Sequence, residues 1–169
     1  FTSFRMTTRI RKAILFSAGY GERLKPLTDK TPKPMLPIGE RPLLDYQLAY
    51  LKRFGIEEVI INLHHLGEVI TRHVGNGARY GLKVVYSREE KLLGTGGGLK
   101  NAEKFFANEV AFFTLNSAAL NNCDLTELAK FHFAQSAAVT LVMRPWQEGY
   151  TRLTVENGEL KKIGVGNHL

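Results

Sequence analysis

Cysteine is nearly absent: Cys123 stands alone among 169 residues, so no disulfide closes within the chain, which suits a reducing cytoplasm. No uninterrupted apolar run approaches the ~20 residues of a membrane-spanning helix, so no membrane partner is expected. The GK[ST] ending of a P-loop and the third glycine of a dinucleotide fingerprint are also missing. Acidic residues are scarce in one region only. Residues 1–53 hold 4 Asp/Glu against 11 Lys/Arg, while residues 54–169 hold 12 of each, so the formal charge of +7 belongs to the N-terminal third. Such a basic arm could serve nucleic acid, but its cations lack the interleaved aromatics of a single-strand platform, so nucleic acid is not the expected partner. Phe1 to Arg5 bring neither an initiator methionine nor a hydrophobic signal region, and residues 1–11 are read as a leader or expression scar.

What the basic third does contain is the stretch SAGYGERLKPLTDKTPKPMLPIG, from Ser17 to Gly39. It follows the apolar run Ala13-Ile14-Leu15-Phe16, so it should leave the C-terminal end of a first strand, where open α/β sheets place their ligands. Gly19 and Gly21 let amide N–H groups approach an anion with no Cβ in the way. Arg23 and Lys33 add permanent positive charge, and Pro32 and Pro34 stiffen the backbone on either side of the lysine. Such a turn suits a polyphosphate. Its bland alternative is a tight strand-to-helix connection with solvated cations.

Strand and helix signals then alternate. Pro42 to Phe54 has proline at its first position and apolar residues spaced along one helical face, with Gly55 to end it. Glu57 to Asn62 reads as a buried parallel strand, Leu66 to Val74 as a helix, Leu82 to Tyr86 as a strand, and Gly98 to Phe105 as a helix after a TGGG turn. Val110 to Leu115 is the next strand, Asp124 or Thr126 caps a helix to about Ala134, and Ala138 to Met143 is a final core strand. Asn157-Gly158 is a two-residue hairpin signal between Arg152–Val155 and Glu159–Ile163. The expected fold is a three-layer αβα, Rossmann-like, mainly parallel sheet with a C-terminal hairpin, in one domain over residues 12–169. Phe105, Phe131 and Phe133 are expected to pack in its core. His64, His65 and His73 lack a spacing that completes a zinc site, and are expected as core or surface residues.

The stretch from Leu15 to Pro42 resembles the signature of the sugar-1-phosphate nucleotidyltransferases, LAAGxGTRLxPLTxxxPKPxLPVxxxP, and LGTGGGLKNA from Leu93 to Ala102 resembles their second nucleotide-binding loop. The resemblance, which covers roughly Lys12 to Leu125, implies a transferase that joins a nucleoside triphosphate to a sugar-1-phosphate and releases pyrophosphate. It implies that main-chain groups of Leu15, Ala18 and Gly19 meet the base and first phosphate, with Gly21 holding the turn open. Arg23 would contact the departing phosphates and Lys33 the α-phosphate or sugar phosphate. Thr95, Gly96 and Gly97 would read the base edge, and Asn116 would stand beside the metal position. UTP or GTP with an amino-sugar, mannose or heptose phosphate fits the TGGG form best.

One departure opposes these agreements. The family follows its fourth core strand with Asn-Gly-Asp or Asn-Ser-Asp, whose aspartate holds Mg²⁺, whereas this chain reads Asn116-Ser117-Ala118-Ala119. Mg²⁺ demands oxygen ligands and alanine offers none. Asp124, the nearest carboxylate downstream, is already explained as a helix cap. The chain also stops where the family continues into a sugar-binding half, so it is expected to be shortened, and an uncovered sheet edge would favour a homodimer. Two readings therefore stand: an enzyme, inactive in this form, and a nucleotide-binding pseudoenzyme with a regulatory or partner-binding role.

Overall fold

The computed structural model describes residues 9–164. The leader expected over residues 1–11 therefore lies largely outside the described residues. The chain forms two compact units, the first ending at Ser136 and the second beginning at Ala137. In the first unit the order is β1 (Lys12–Phe16), β2 (Pro37–Ile38), β3 (Arg41–Pro42), α1 (Leu43–Arg53), β4 (Glu58–Leu63), α2 (Gly67–Val74), β5 (Lys83–Arg88), α3 (Gly94–Asn101), β6 (Phe113–Asn116) and α4 (Leu125–Ala134). The second unit holds β7 (Leu153–Glu156) and β8 (Glu159–Ile163).

Four strands make one parallel sheet in the order β5-β4-β1-β6. Successive residues of a strand face opposite sides, so β1 sends Ala13 and Leu15 into one core and Ile14 into the other. Val59, Ile61 and Leu63 of β4 join the first core and Ile60 the second. Leu44, Leu48 and Leu51 of α1, Ile70 and Val74 of α2, and Leu125 and Ala129 of α4 cover the first face. Ala102 and Phe106, with Leu99 of α3, cover the second. The first unit is thus three layers, as its alternating signals imply. Each fully buried leucine in these layers contributes about 1.5–3 kcal/mol.

The strand order fixes where a crevice opens. From β1 the chain steps outward through α1 to β4 and through α2 to β5, then returns to place β6 on the other side of β1. Right-handed crossovers put α3, which serves the returning connection, on the opposite face from α1 and α2. The gap between the carboxyl ends of β1 and β6 is therefore a topological switch point.

Several boundaries differ from expectation for physical reasons. Helix α3 starts at Gly94, so Thr95, Gly96 and Gly97 form its first turns instead of a loop before it. Strand β6 begins only at Phe113, because Val110 is 85% exposed and has no partner strand to pair with among the described residues. Phe131 lies on the outer side of α4, 52% exposed, while Phe133 and Phe105 do pack against the cores. Asp124 caps α4 as expected: its Oδ1 accepts from the Thr126 and Glu127 amides at 2.8 and 3.0 Å, a cap worth about 1 kcal/mol.

In the second unit β7 and β8 pair antiparallel around Asn157 and Gly158, both with positive φ, the geometry the Asn-Gly signal demands. The strand expected over residues 138–143 does not form, and Val139 and Val142 are 73% and 61% exposed. β-branched residues favour extended backbone, but a strand also needs a hydrogen-bonded neighbour and a covered face. Among the described residues no strand pairs with this stretch, and its large apolar side chains face solvent.

Candidate functional site

The switch point is built from short polar residues that lock two strand ends together. Ser117, directly after β6, is fully buried; its amide and hydroxyl both donate to the Phe16 carbonyl, at 3.1 and 2.7 Å. Ser17, directly after β1, is 2% exposed and donates its amide to Asn62 Oδ1 at 2.6 Å. The first glycine turn and the Asn116–Ala118 turn therefore emerge side by side. Leu15 lies inside β1 with its side chain in the core, and Ala18 is buried just past the strand end.

Beyond Ala18 the chain opens to solvent. Nothing lies within 4 Å of the position a Cβ would take on Gly19. Gly21 is different: its φ is +69°, and a Cβ there would meet Thr28 Cγ2 at 2.8 Å and Lys33 Cβ at 3.3 Å. That contact places the stem of Lys33 against the glycine turn, as the sequence implies. Thr28, 1% exposed, holds the turn from the far side by donating its hydroxyl to the Gly21 carbonyl at 3.0 Å. Lys33 sits in a short 3₁₀ turn between buried Pro32 and Pro34, and this segment is pinned to α1 where the Leu43 amide donates to the Leu36 carbonyl at 3.0 Å. Among the described residues no carboxylate pairs with Arg23, Lys25, Lys30 or Lys33. Their charge is available to an anion.

The second glycine segment reaches the first through two residues that sequence reasoning missed. Asn62, 2% exposed, donates from Nδ2 to Glu89 Oε1 at 2.8 Å, and Glu89 Oε2 accepts from the Leu93 amide at 3.0 Å. Gly98 of α3 rests on this pair, since a Cβ there would stand 2.8 Å from both Asn62 Nδ2 and Glu89 Oε1. Gly96, in contrast, has nothing within 4 Å of its virtual Cβ. An asparagine within a run of buried β-branched residues is a signal that a partner must exist. Glu89 carries no such signal, because Glu90 beside it is exposed and identical in type.

Of the histidines read as core or surface residues, His64 and His65 serve the same turn, while His73 pairs with Asp45 of α1 at 2.7 Å. His64 Nδ1 faces the Glu89 carbonyl at 2.9 Å, so Nδ1 carries the proton and Nε2 accepts from the Tyr20 hydroxyl at 2.9 Å. His65 Nε2 donates to the Thr28 carbonyl at 2.9 Å. Asn116 is exposed at the end of β6 and its carbonyl accepts from the Ala119 amide at 3.3 Å.

The donor set at the end of β6 does not fit Mg²⁺. Ala118 has no side-chain oxygen, the buried Ser117 hydroxyl is turned toward the Phe16 carbonyl, and Asp124 Oδ1 is engaged by its helix cap. Among the described residues no group of three or more His, Cys, Asp or Glu could hold a metal. A separate open hollow of about 600 Å³, lined by Arg41, Asp45, Lys52, Arg53, Arg79 and Tyr80, includes none of the residues singled out from the sequence.

Residues 12–152 match the family model described as nucleotidyl transferase. The chain belongs to that family. It is 34% identical over 144 residues to a UTP–glucose-1-phosphate uridylyltransferase of Synechocystis sp., covering 79% of this chain and 37% of that protein. It is 38% identical over 136 residues to a mannose-1-phosphate guanylyltransferase of Mycobacterium tuberculosis, covering 80% and 38%. With an N-acetylmuramate alpha-1-phosphate uridylyltransferase of Neisseria meningitidis serogroup B it shares 37% over 136 residues, 80% of this chain and 58% of the relative. Among solved structures, HddC from Yersinia pseudotuberculosis complexed with GMP-PN superposes with a TM-score of 0.65 at 28% identity, covering 73% of this chain and 54% of that one. A UDP-glucose pyrophosphorylase from Acinetobacter baumannii shares the fold, with a TM-score of 0.62 at 19% identity. This nucleotidyl transferase chain spans about two fifths of the length of the first two relatives.

Proposed function

We propose that the whole protein joins a nucleoside triphosphate to a sugar-1-phosphate, and that this chain carries its triphosphate-binding part. The support for this reading is that the open glycine turn leaves the carboxyl end of β1 at the switch point, is joined to the start of α3 through Asn62 and Glu89, and carries Arg23, Lys25, Lys30 and Lys33 with no carboxylate partner among the described residues. A sugar-phosphate oxygen attacks the α-phosphorus, a new P–O bond forms, and the bond to the α,β-bridging oxygen breaks, so pyrophosphate leaves with the electron pair. In such a displacement the protein contributes positioning and charge neutralisation. Main-chain amides of Gly19 and Gly21 cradle the phosphates, Arg23 offsets charge on the leaving group, and Lys33 bridges toward the α-phosphate. Exposed Thr95 and Gly96, with adjacent Gly97, and Asn116 at the end of β6 take the base side. UTP and GTP are the favoured nucleotides, in keeping with the uridylyl- and guanylyltransferase names of the relatives, and a reducing cytoplasm is the favoured location. Titration with UTP, GTP, CTP, ATP and dTTP tests the reading. One nucleotide should bind, and Arg23→Met and Lys33→Met should each weaken it by about tenfold to a hundredfold, the size of a well-placed charged contact. Unchanged affinity in both variants would sink it.

Ala118 supports a second reading, a binding protein without turnover. Pyrophosphate release from UTP or GTP with glucose-1-phosphate or mannose-1-phosphate, compared between the whole protein and its Ala118→Asp form, separates the two. Gain of release in the variant identifies a catalytic frame lacking one ligand; no release from either supports the binding protein.

A further inference from the structure

We infer that Asn62 and Glu89 are positioning residues that set the spacing between the two glycine segments, so that phosphates and base are held as one ligand. The inference rests on the triphosphate reading above. Three hydrogen bonds in series run from the first segment to the second: the Ser17 amide to Asn62 Oδ1 at 2.6 Å, Asn62 Nδ2 to Glu89 Oε1 at 2.8 Å, and the Leu93 amide to Glu89 Oε2 at 3.0 Å. Both linking side chains are buried, at 2% and 6% exposure, where hydrogen bonds are shielded from water and strengthen one another. The backbone holds Glu89 as well, since its amide donates to the Leu63 carbonyl at 2.8 Å and its carbonyl accepts from His64 Nδ1 at 2.9 Å.

The direction of each bond dictates the residue type. Glu89 faces two donors, the Asn62 amide and the Leu93 N–H, so it must accept at both oxygens, which a carboxylate does and a carboxamide cannot. Asn62 faces one donor and one acceptor, which a carboxamide satisfies and a carboxylate cannot. Glu89→Gln therefore turns an NH₂ toward a donor, and Asn62→Asp turns a carboxylate oxygen toward a carboxylate. Exchanging both restores every bond: the carboxylate now at position 62 would accept from the Ser17 amide and from the new carboxamide at position 89, whose oxygen would accept from Leu93. Gly98 adds a steric condition, because any side chain there would press on the Asn62–Glu89 contact.

The experiment uses the 169-residue chain, with UTP, GTP and inorganic tripolyphosphate as probes. Tripolyphosphate needs only the first segment; a nucleoside triphosphate needs both. In the unaltered chain the better nucleotide should bind at least tenfold tighter than tripolyphosphate. Asn62→Asp and Glu89→Gln should each erase most of that margin while tripolyphosphate affinity changes less than threefold, and the double variant should recover it. A purely structural role would lower Tm and weaken both probes together. Margins preserved in the single variants, or a double variant no better than the singles, would overturn the inference. Should the single variants fail to fold, the double variant decides: recovery of folding and margin supports the strap, and no recovery overturns it. If the unaltered chain binds neither nucleotide, the triphosphate reading falls first, and the strap with it.

Discussion

Tyr20 and His64 meet through a hydrogen bond of 2.9 Å between the tip of the first glycine turn and the residue that follows β4. Their rings also touch edge to face, with centroids 5.4 Å apart. An exposed tip that would otherwise be free is thereby tied to the sheet. Tyr20→Phe keeps the ring contact and removes the tie. Hydrogen exchange at the amides of residues 19–22 should quicken severalfold, with global stability changed by less than about 1 kcal/mol, the net worth of one exposed hydrogen bond.

Two glycines two positions apart should respond in opposite ways. Gly21→Ala forces a Cβ onto Thr28 at positive φ, so it should cost about 1–3 kcal/mol in chemical denaturation. Gly19→Ala meets nothing within 4 Å and should leave stability within about 0.5 kcal/mol. Its cost appears only with ligand: nucleotide affinity should fall at least tenfold as the methyl occupies the space of a phosphate. Equal nucleotide affinity in Gly19→Ala and the unaltered chain would remove Gly19 from the site.

Gly96 offers a cleaner separation of stability from binding. It lies within α3 with open space beside it, so alanine should raise stability by about 0.5–1 kcal/mol through helix propensity. The same methyl should weaken nucleotide binding if the base lies there. Thermal denaturation and titration of one variant check both signs.

The hydroxyl of Tyr50 donates to the Cys123 carbonyl at 2.5 Å, joining α1 to the segment before α4. Burial, then the nearby Cys123 and Asp124, push its pKa from 10.0 up to about 12. The folded chain holds this proton more tightly than the unfolded chain. The resulting stability is complete below pH ~10 and is lost as pH rises from there through about 12. Tyr50→Phe should flatten that alkaline loss while lowering stability at neutral pH, and denaturation at pH ~8, ~10 and ~11 would show it. A loss of equal steepness in the variant would assign the effect to the other raised tyrosines, Tyr80, at about 12, and Tyr86, pushed up by burial.

Local physics was legible along the chain wherever a residue constrains its own backbone. Proline ahead of α1, the Asp124 cap, the Asn157-Gly158 turn and the glycines after β1 set torsions or pair with amides a few residues away. Apolar period likewise announced which face of α1 turns inward, and the unbroken run Val59–Ile61 announced that β4 is covered on both faces. Long-range partnership was not legible. Residues 138–143 have the composition of a strand but no strand pairs with them among the described residues, and Phe131 has the composition of core without the position.

Composition and order thus determined a basic glycine turn at the end of a first strand in a parallel α/β chain, with no acidic residue at Ala118. Tertiary structure decided that β6 returns beside β1, that α3 begins within the TGGG segment, and that Glu89, not Glu90, is the carboxylate placed under it. The reason is range: torsions and periodicity act within one or two turns of chain, whereas the Ser17–Asn62–Glu89–Leu93 series joins segments that only packing brings together.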